Sequence, residues 1–386
     1  MTLLAIVAGV VGLILSGGFV QDIFIQLGEA LIHSQSGHLQ VSRSGYFLRG
    51  ARSPEKYLIN DPEHLRQEIA AINGVDDVMG RLYFAGLINN GHADLPIVGE
   101  GVEPAREARL GSGMTITEGK RLEDKDEHGI MIGHGLAQAL KIKSGDWVTL
   151  VINTADGALN SLEFQVTGIF QTFSKDYDAR GVRIPLSTAQ DLMATKGINT
   201  LVVSLKETKD TERVASLLSK QYADKDLETT TWLQLNDFYA KTVGMYDAQF
   251  QVLRIIILLM VLLSVANSVN MTVFERVGEF GTMMAIGNHS RQVFSLIVAE
   301  NCIVGLIGAV AGVIIGVMLA WIISAIGMPM PPPPNSEIGY IARIIIVPSV
   351  VAGAFAVGFL ATIAASFLPA YRVSRIPVVD ALRQNV

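Results

Sequence analysis

Four long apolar runs constrain everything else in this sequence: Leu3–Val20, Ile255–Val273, Val293–Ile326 and Ile344–Leu368, with Glu300 their only charged residue. Each reaches the roughly 17–25 residues that a helix needs to cross about 30 Å of hydrocarbon. Inside a bilayer the backbone must satisfy its own hydrogen bonds, so such runs become helices. Between the first and second runs lie about 200 far more polar residues. Half of the chain is hydrophobic, but its uneven distribution excludes a single globular core. The pattern predicts four membrane spans with a soluble domain between the first two.

The first run is expected to stay as a membrane helix rather than be cleaved as a signal peptide, which would need a basic start and a small-residue cleavage site. Instead Ile23, Phe24, Leu27, Ala30 and Leu31 continue the apolar pattern at helical spacing, with Asp22 and Glu29 between them. Residues 1–35 therefore read as a membrane helix and an amphipathic stalk. Residues 236–273 read as a returning stalk, Asn236–Gln251, followed by the second span, the two stalks being paired.

The middle segment, 36–235, shows two similar strand–helix–strand patterns. His38–Ser42 alternates like a strand, and Asp61 with Pro62 opens a helix with Leu65, Ile69 and Ile72 on one face. Strands follow near Val75–Leu87 and Leu95–Val98. Later come Thr200–Leu205, a helix with Val214, Leu217 and Leu218 on one face, and Glu228–Leu233. These predict one α+β subdomain made from 36–100 and 198–235. A β-rich subdomain, 101–197, would be inserted, with strands at Asp146–Ile152, Leu162–Phe170 and Gly181–Pro185 and a helix at Gly135–Leu140. Ser36–Ala248 holds 23 basic and 29 acidic residues, which is the whole net charge of −6. A mildly acidic domain argues against nucleic acid as a partner. Cys302, the single cysteine, excludes an intramolecular disulfide.

Phe274–Gln292 separates the second and third runs and is charged yet helix-capable. Val277, Phe280, Gly281 and Met284 fall at i, i+3, i+4 and i+7, one apolar stripe. Glu275 and Glu279 lie beside it, with Arg276 within reach of Glu279. The third run spans 293–327 and begins at the membrane surface, where Glu300 is a functional candidate or one half of an interfacial ion pair. Its glycines at Gly305, Gly308, Gly312 and Gly316 mark a helix-packing face. A stiff Pro-rich loop, 328–343, the fourth span, 344–368, and a polar tail, 369–386, complete the chain.

Orientation follows the basic residues of short loops. Arg276 and Arg291 lie in the 274–292 segment and Arg372, Arg375 and Arg383 in the tail, whereas 328–340 holds none. Both termini and the helical segment are therefore expected on the cytoplasmic side, with the large domain outside. No stretch matches G-x-x-x-x-G-K-[ST], so the chain has no P-loop of its own, and its seven scattered histidines complete no zinc set. No catalytic constellation is evident.

Three segments carry a family resemblance. ERVGEFGTMMAIGNHSRQVFSLIVAE, Glu275–Glu300, resembles the pattern after the second span of FtsX-like permeases, the membrane subunits of MacB-type and lipoprotein-release-type ABC systems. PAYRVSRIPVVDALR, Pro369–Arg383, is similar to the ending of that family, and Glu118–Leu150 looks like its extracytoplasmic core domain. The resemblance implies an α-helical membrane protein with four transmembrane helices plus a large α+β extracytoplasmic domain of two subdomains on helical stalks. It implies a bacterial inner-membrane permease working by mechanotransmission. Its partners would be an ABC ATPase subunit dimer, a second permease copy or paralogue, membrane lipid, and a periplasmic adaptor or lipoprotein acceptor. This chain would bind no cofactor, ATP and magnesium belonging to the partner subunit. Glu275, Arg276, Glu279, Phe280, Gly281, Met284 and Gly287 match the family's coupling helix, in which Phe280 and Met284 would plug a groove on the ATPase. Family members begin with a basic amphipathic helix before the first span, and the start at Met1 departs from this, being truncated, mis-assigned or different. The expected cargo is lipophilic, such as a lipoprotein, lipid or drug. The alternatives are a regulator that switches an extracytoplasmic cell-wall hydrolase without transport, and a membrane sensor with no ATPase.

Overall fold

A computed structural model of the chain describes residues 2–50, 53–110, 114–332, 339–378 and 381. The chain divides into two compact units, Met1–Ile25 with Thr242–Met330 and Tyr340–Val386, and Gln26–Lys241 with Pro331–Gly339. Arg383 and residues 333–338 of the Pro-rich loop lie outside the described residues.

Among the described residues, four helices are long and apolar enough to cross a membrane. They are Thr2–Leu31, Asp237–Glu275, Ser290–Ile326 and Pro348–Val373. Many of their large side chains face outward, among them Leu263, Ile314 and Trp321. What the third and fourth helices bury is mostly small, including Gly305, Gly308, Gly312, Gly316, Ala354, Gly358, Ala361 and Ala365, whereas the first and second bury Ile6, Val10, Ile14, Val261 and Val265. Lipid tails are as apolar as leucine, so spans associate through close packing rather than through burial of apolar surface. Ile6, Val10 and Ile14 of the first helix rest on Gly308, Gly312 and Gly316 of the third. A Cβ at those glycines would stand 3.0, 2.7 and 3.0 Å from these side chains. Both series ascend together, so the first and third helices run parallel, as alternating spans require. Gly305 meets Thr362 of the fourth helix, with 3.0 Å to a built Cβ.

Helix ends depart from expectation where capping chemistry intervenes. The fourth helix starts at Pro348 rather than Ile344, because proline is preorganised for a first turn. Arg343 therefore remains in the preceding loop, where its backbone N–H donates to the Asp22 carboxylate (2.7 Å). That helix also runs on to Val373, taking up the first five residues of the expected polar tail. The third helix begins at Ser290, closed by a reciprocal His289–Gln292 capping box. The outer ends of the Pro-rich loop pair as a short hairpin, Met328–Met330 with Tyr340–Ala342.

The second unit is α+β. Its strands are β1 (Leu39–Arg43), β2 (Val75–Asn89), β3 (Asp94–Val102), β4 (Thr115–Gly119), β5 (Gly129–Gly133), β6 (Trp147–Asn153), β7 (Leu159–Gln171), β8 (Gly181–Pro185), β9 (Thr200–Leu205) and β10 (Leu227–Thr231). β10, β1, β9 and the first half of β2 form an antiparallel sheet. Helices Pro62–Ala70 and Thr211–Gln221 bury Leu65, Ile69, Val214 and Leu218 in the same core as Leu39, Val41 and Val203. Asp61 stands at the first helix's N-cap position without making the side-chain capping bond, and Leu217 is exposed rather than on the buried face.

β2 continues into a second layer. Pairings run from β2 to β3, β8, β5, β7 and β6 and back to β2, closing a six-stranded ring. Its interior holds Ile88, Ile132, Leu150, Phe164 and Val182. The expected boundary of the insert at Gly101 is therefore corrected. β2 belongs to both parts and all ten strands form one continuous sheet, so the change of core falls inside β2, between Val78 and Leu82. A strand long enough to serve two sheets carries no composition break at the crossing.

Candidate functional site

The segment between the second and third spans is built around a helix break. The long helix ends at Glu275, Arg276 leaves helical geometry (φ −106°, ψ 11°), and a new helix runs Val277–Ala285. Gly287, at φ 113°, stops it. Gly287 N–H donates to the Met284 carbonyl and Asn288 N–H to that of Met283, the two bonds of a Schellman end. Arg276 pins the break. Its Nε donates to Glu279 (2.8 Å), and its Nη1 donates to both Glu300 oxygens (2.8 and 2.9 Å). The guanidinium also lies 5.2 Å from the centre of the Phe280 ring. Of the two readings left open for Glu300, the structure gives an ion pair.

The expected role of Phe280 is corrected by its position. Phe280 is 1% exposed and Val277 2%, and both pack with Val273, Val293, Ile297 and Val373 of this chain. Gly281 is buried and Met284 half-buried against the same cluster. A ring already desolvated cannot be the anchor that a partner desolvates. The outward residues are Glu279, Thr282 and Ile286, at i, i+3 and i+7, with Glu275 and Phe274 exposed at the break. Ile286 is 81% exposed. The apolar stripe visible in the sequence faces in, and the charged stripe faces out.

A second polar site, absent from the sequence reading, lies in the α+β unit. The first long helix ends in a π-turn, Ile32–Ser36, where Gly37 N–H closes on the Ile32 carbonyl (3.0 Å) and the later carbonyls lie past the last turn. Two buried arginines cap them: Arg183 Nη2 donates to the Ser34 carbonyl (2.9 Å), and Arg81 Nη1 donates to the Gln35 carbonyl. Arg81, from β2, is 0% exposed and bonds both oxygens of Glu107 through Nε and Nη2, at 2.6 and 3.0 Å. Arg183, from β8, lies 2.9 Å from Glu100 and 3.8 Å from Glu107. Burial disfavours the charged Glu107, but Arg81 and Arg183 outweigh it and hold this carboxyl below its usual range. The sequence signal was available: Arg81 and Arg183 each interrupt an apolar strand, in Gly80–Leu82 and Val182–Ile184. His38 is buried nearby, accepting from Leu205 N–H at Nδ1 (3.1 Å) and placing Nε2 3.2 Å from Thr208 Oγ1. Burial first, and then His33, pushes its pKa down to about 4.

Comparison with known proteins places this architecture. Residues 1–221 match the MacB-like periplasmic core domain, and residues 252–378 match the FtsX-like permease C-terminal domain. The chain belongs to the FtsX-like ABC transporter permease family. The permease is similar to an uncharacterized ABC transporter permease of Methanocaldococcus jannaschii, 28% identical over 86% of this chain and 82% of that one. It is similar to the lipoprotein-releasing system transmembrane protein LolE of Haemophilus influenzae, 21% identical over 61% of this chain and 58% of LolE. The pyoverdine export ATP-binding/permease protein PvdT of Pseudomonas syringae is 24% identical over 69% of this chain and 40% of PvdT. The permease thus spans most of the first relative but well under two thirds of the other two.

Proposed function

We propose that this permease couples ATP hydrolysis in a separate ATPase subunit to movement of its α+β domain, and so moves a lipophilic cargo such as a lipoprotein, lipid or drug. The observation that carries the reading is the segment after the second span. It is a short helix fixed to the third span through Arg276 and Glu300, with an outward face of Glu275, Glu279, Thr282 and Ile286. Such a face suits docking in which charge sets register and one apolar side chain is desolvated. The helices Thr2–Leu31 and Asp237–Glu275 are continuous, which suits the transmission of a displacement along the chain. On this reading both termini are cytoplasmic in an inner-membrane protein, the α+β domain is extracytoplasmic, and a second permease copy or paralogue completes a dimer. Arg343 is one basic residue in the outer loop against Arg276, Arg291, Arg372, Arg375 and Arg383 on the cytoplasmic side. Cysteines placed at Asn90 and Ser290 in a Cys302→Ala background should label from outside and from inside respectively.

Permease-stimulated ATPase activity tests the docking face. Ile286→Asp or the double reversal Glu275→Lys, Glu279→Lys should remove stimulation; Ile286→Asp should leave the melting temperature of the permease unchanged, while the double reversal lowers it slightly by losing the exposed Glu279–Arg276 bond. Phe280→Ala should do the opposite first, lowering permease stability by about 3 kcal/mol because it empties a buried site. Wild-type stimulation by the Ile286→Asp and double-reversal variants would sink the coupling assignment.

A further inference from the structure

The α+β unit holds a cavity that the proposed coupling does not use. Its volume is about 280 Å³, and it opens to solvent between the rings of Tyr46, Tyr83 and Tyr177 and the polar side chains of Gln35, Gln40 and Glu100. Ser36, from the turn that ends the first helix, and Asn236, just before the second long helix, also line it.

Three buried polar atoms in these walls have no hydrogen-bond partner: Gln35 Nε2, Gln40 Oε1 and Glu100 Oε2. Gln40 and Glu100 are 3% and 4% exposed, so bulk water does not satisfy them by default. Gln40 has already committed an amide N–H to the Ser36 carbonyl (2.9 Å). Arg183 Nε lies 2.9 Å from Glu100 Oε2 but aims its hydrogen at the Tyr177 hydroxyl (3.1 Å). Each orphaned group carries a desolvation penalty, and native proteins leave few of them without a reason. Two acceptors and one donor converging on one aromatic opening are a recognition pattern.

We propose that this cavity binds a short, uncharged stretch of peptide with one apolar side chain against the tyrosines. Charge selects the neutral class: Arg81 and Arg183 are balanced by Glu107 and Glu100, so the site has no net charge to offer an ion. Hydrogen bonding selects the amide, because consecutive peptide groups carry the N–H donors that Gln40 and Glu100 lack and the carbonyl that Gln35 lacks. Size selects a short segment, since about 280 Å³ lies just below the usual range of small-ligand pockets and is too small for a whole lipid. Aromatic walls suit a flat amide and an aliphatic side chain together.

The test uses the full chain in detergent micelles and the blocked dipeptide N-acetyl-photoleucyl-alaninamide, with cross-links mapped after illumination. Labelling should fall on residues 35–47, 83, 98–100 and 177 and be displaced by unlabelled N-acetyl-leucyl-alaninamide. Val98 forms part of the wall and is 38% exposed, so Val98→Trp should fill the opening and abolish labelling. Gln40→Leu removes one acceptor and should weaken displacement about tenfold or more. Both variants are checked for an unchanged melting temperature, and should Val98→Trp melt early, Gln40→Leu decides alone. Labelling that ignores the substitutions, or that never exceeds background, means a water-filled cavity only and overturns the proposal. Better displacement by n-butylammonium or by N-acetyl-leucine carboxylate overturns the neutral-peptide assignment. No outcome depends on the ATPase, so failure here leaves the coupling mechanism standing.

Discussion

The membrane unit and the α+β unit build their contacts differently. In the first, side chains such as Leu263 and Trp321 face outward, while glycines of the third helix let Ile6, Val10 and Ile14 of the first approach its backbone. In the second, the interior is filled by isoleucine, leucine, valine and phenylalanine, and the buried polar exceptions include the charged Arg81, Glu100, Glu107 and Arg183 beside neutral groups such as Gln40 and Asn199. The difference follows from the solvent each surface meets. Lipid does not drive large apolar groups together, so close approach decides the packing. Water does, so the core fills with apolar volume and any charge inside must be paired.

The largest expected effect comes from disturbing the close approach. At Gly312 a built Cβ already stands 2.7 Å from Val10, so Gly312→Leu cannot be accommodated without separating the first and third helices. It should prevent recovery of monodisperse permease, whereas Ile314→Ala, at a 57% exposed position, should behave as wild type. Equal behaviour of the two variants in size-exclusion chromatography would dissolve the contrast between the units.

Next comes the buried ion pair. Arg81→Met leaves Glu107 charged and dry, which costs about 3–5 kcal/mol. Adding Glu107→Leu should restore most of the loss. Urea unfolding followed by the fluorescence of Trp147 and Trp232 measures both. If the double variant is no better than the single, Arg81 acts mainly through the Gln35 carbonyl.

A smaller effect is a pH slope in the α+β unit. The folded pKa of His38 is about 4, below the ordinary 6.5, so the unfolded chain binds more protons between those values. Its stabilising contribution is complete above about pH 6.5 and is lost as the pH falls toward 4. The melting temperature should fall across that window and flatten in His38→Asn. A slope unchanged by the substitution assigns the acid sensitivity to the carboxylates. Least of all, Glu279→Gln should change stability by under ~1 kcal/mol, since its bond to Arg276 is exposed. A larger loss in thermal unfolding would mean that the helix break depends on Glu279 as well as Glu300.

Much of this was legible from residue order. Span number, the placement of a large polar domain between the first two spans, and strands such as Thr200–Leu205 depend on run length and local periodicity, which the chain carries along itself. The glycine series Gly305–Gly316 was visible for the same reason. The stripe Val277, Phe280, Gly281, Met284 was visible too, but periodicity states only that a face is apolar and not what it faces. Arg81 and Arg183 were not singled out at all, and their place as charges within apolar strands gives no hint of their shared partners.

The sequence alone therefore determined the membrane spans and the family, because hydrophobic length and linear motifs need no folding to be read. Only the tertiary structure decided that Phe280 is already buried by Val293 and Val373, so that the exposed glutamates and Ile286 face outward. It alone closed β2, β3, β8, β5, β7 and β6 into a ring, carried one strand through two cores, and set two arginines on the end of the first helix. Each of those is a pairing between residues distant in the chain, and such pairings are fixed by burial and charge balance in three dimensions rather than by spacing.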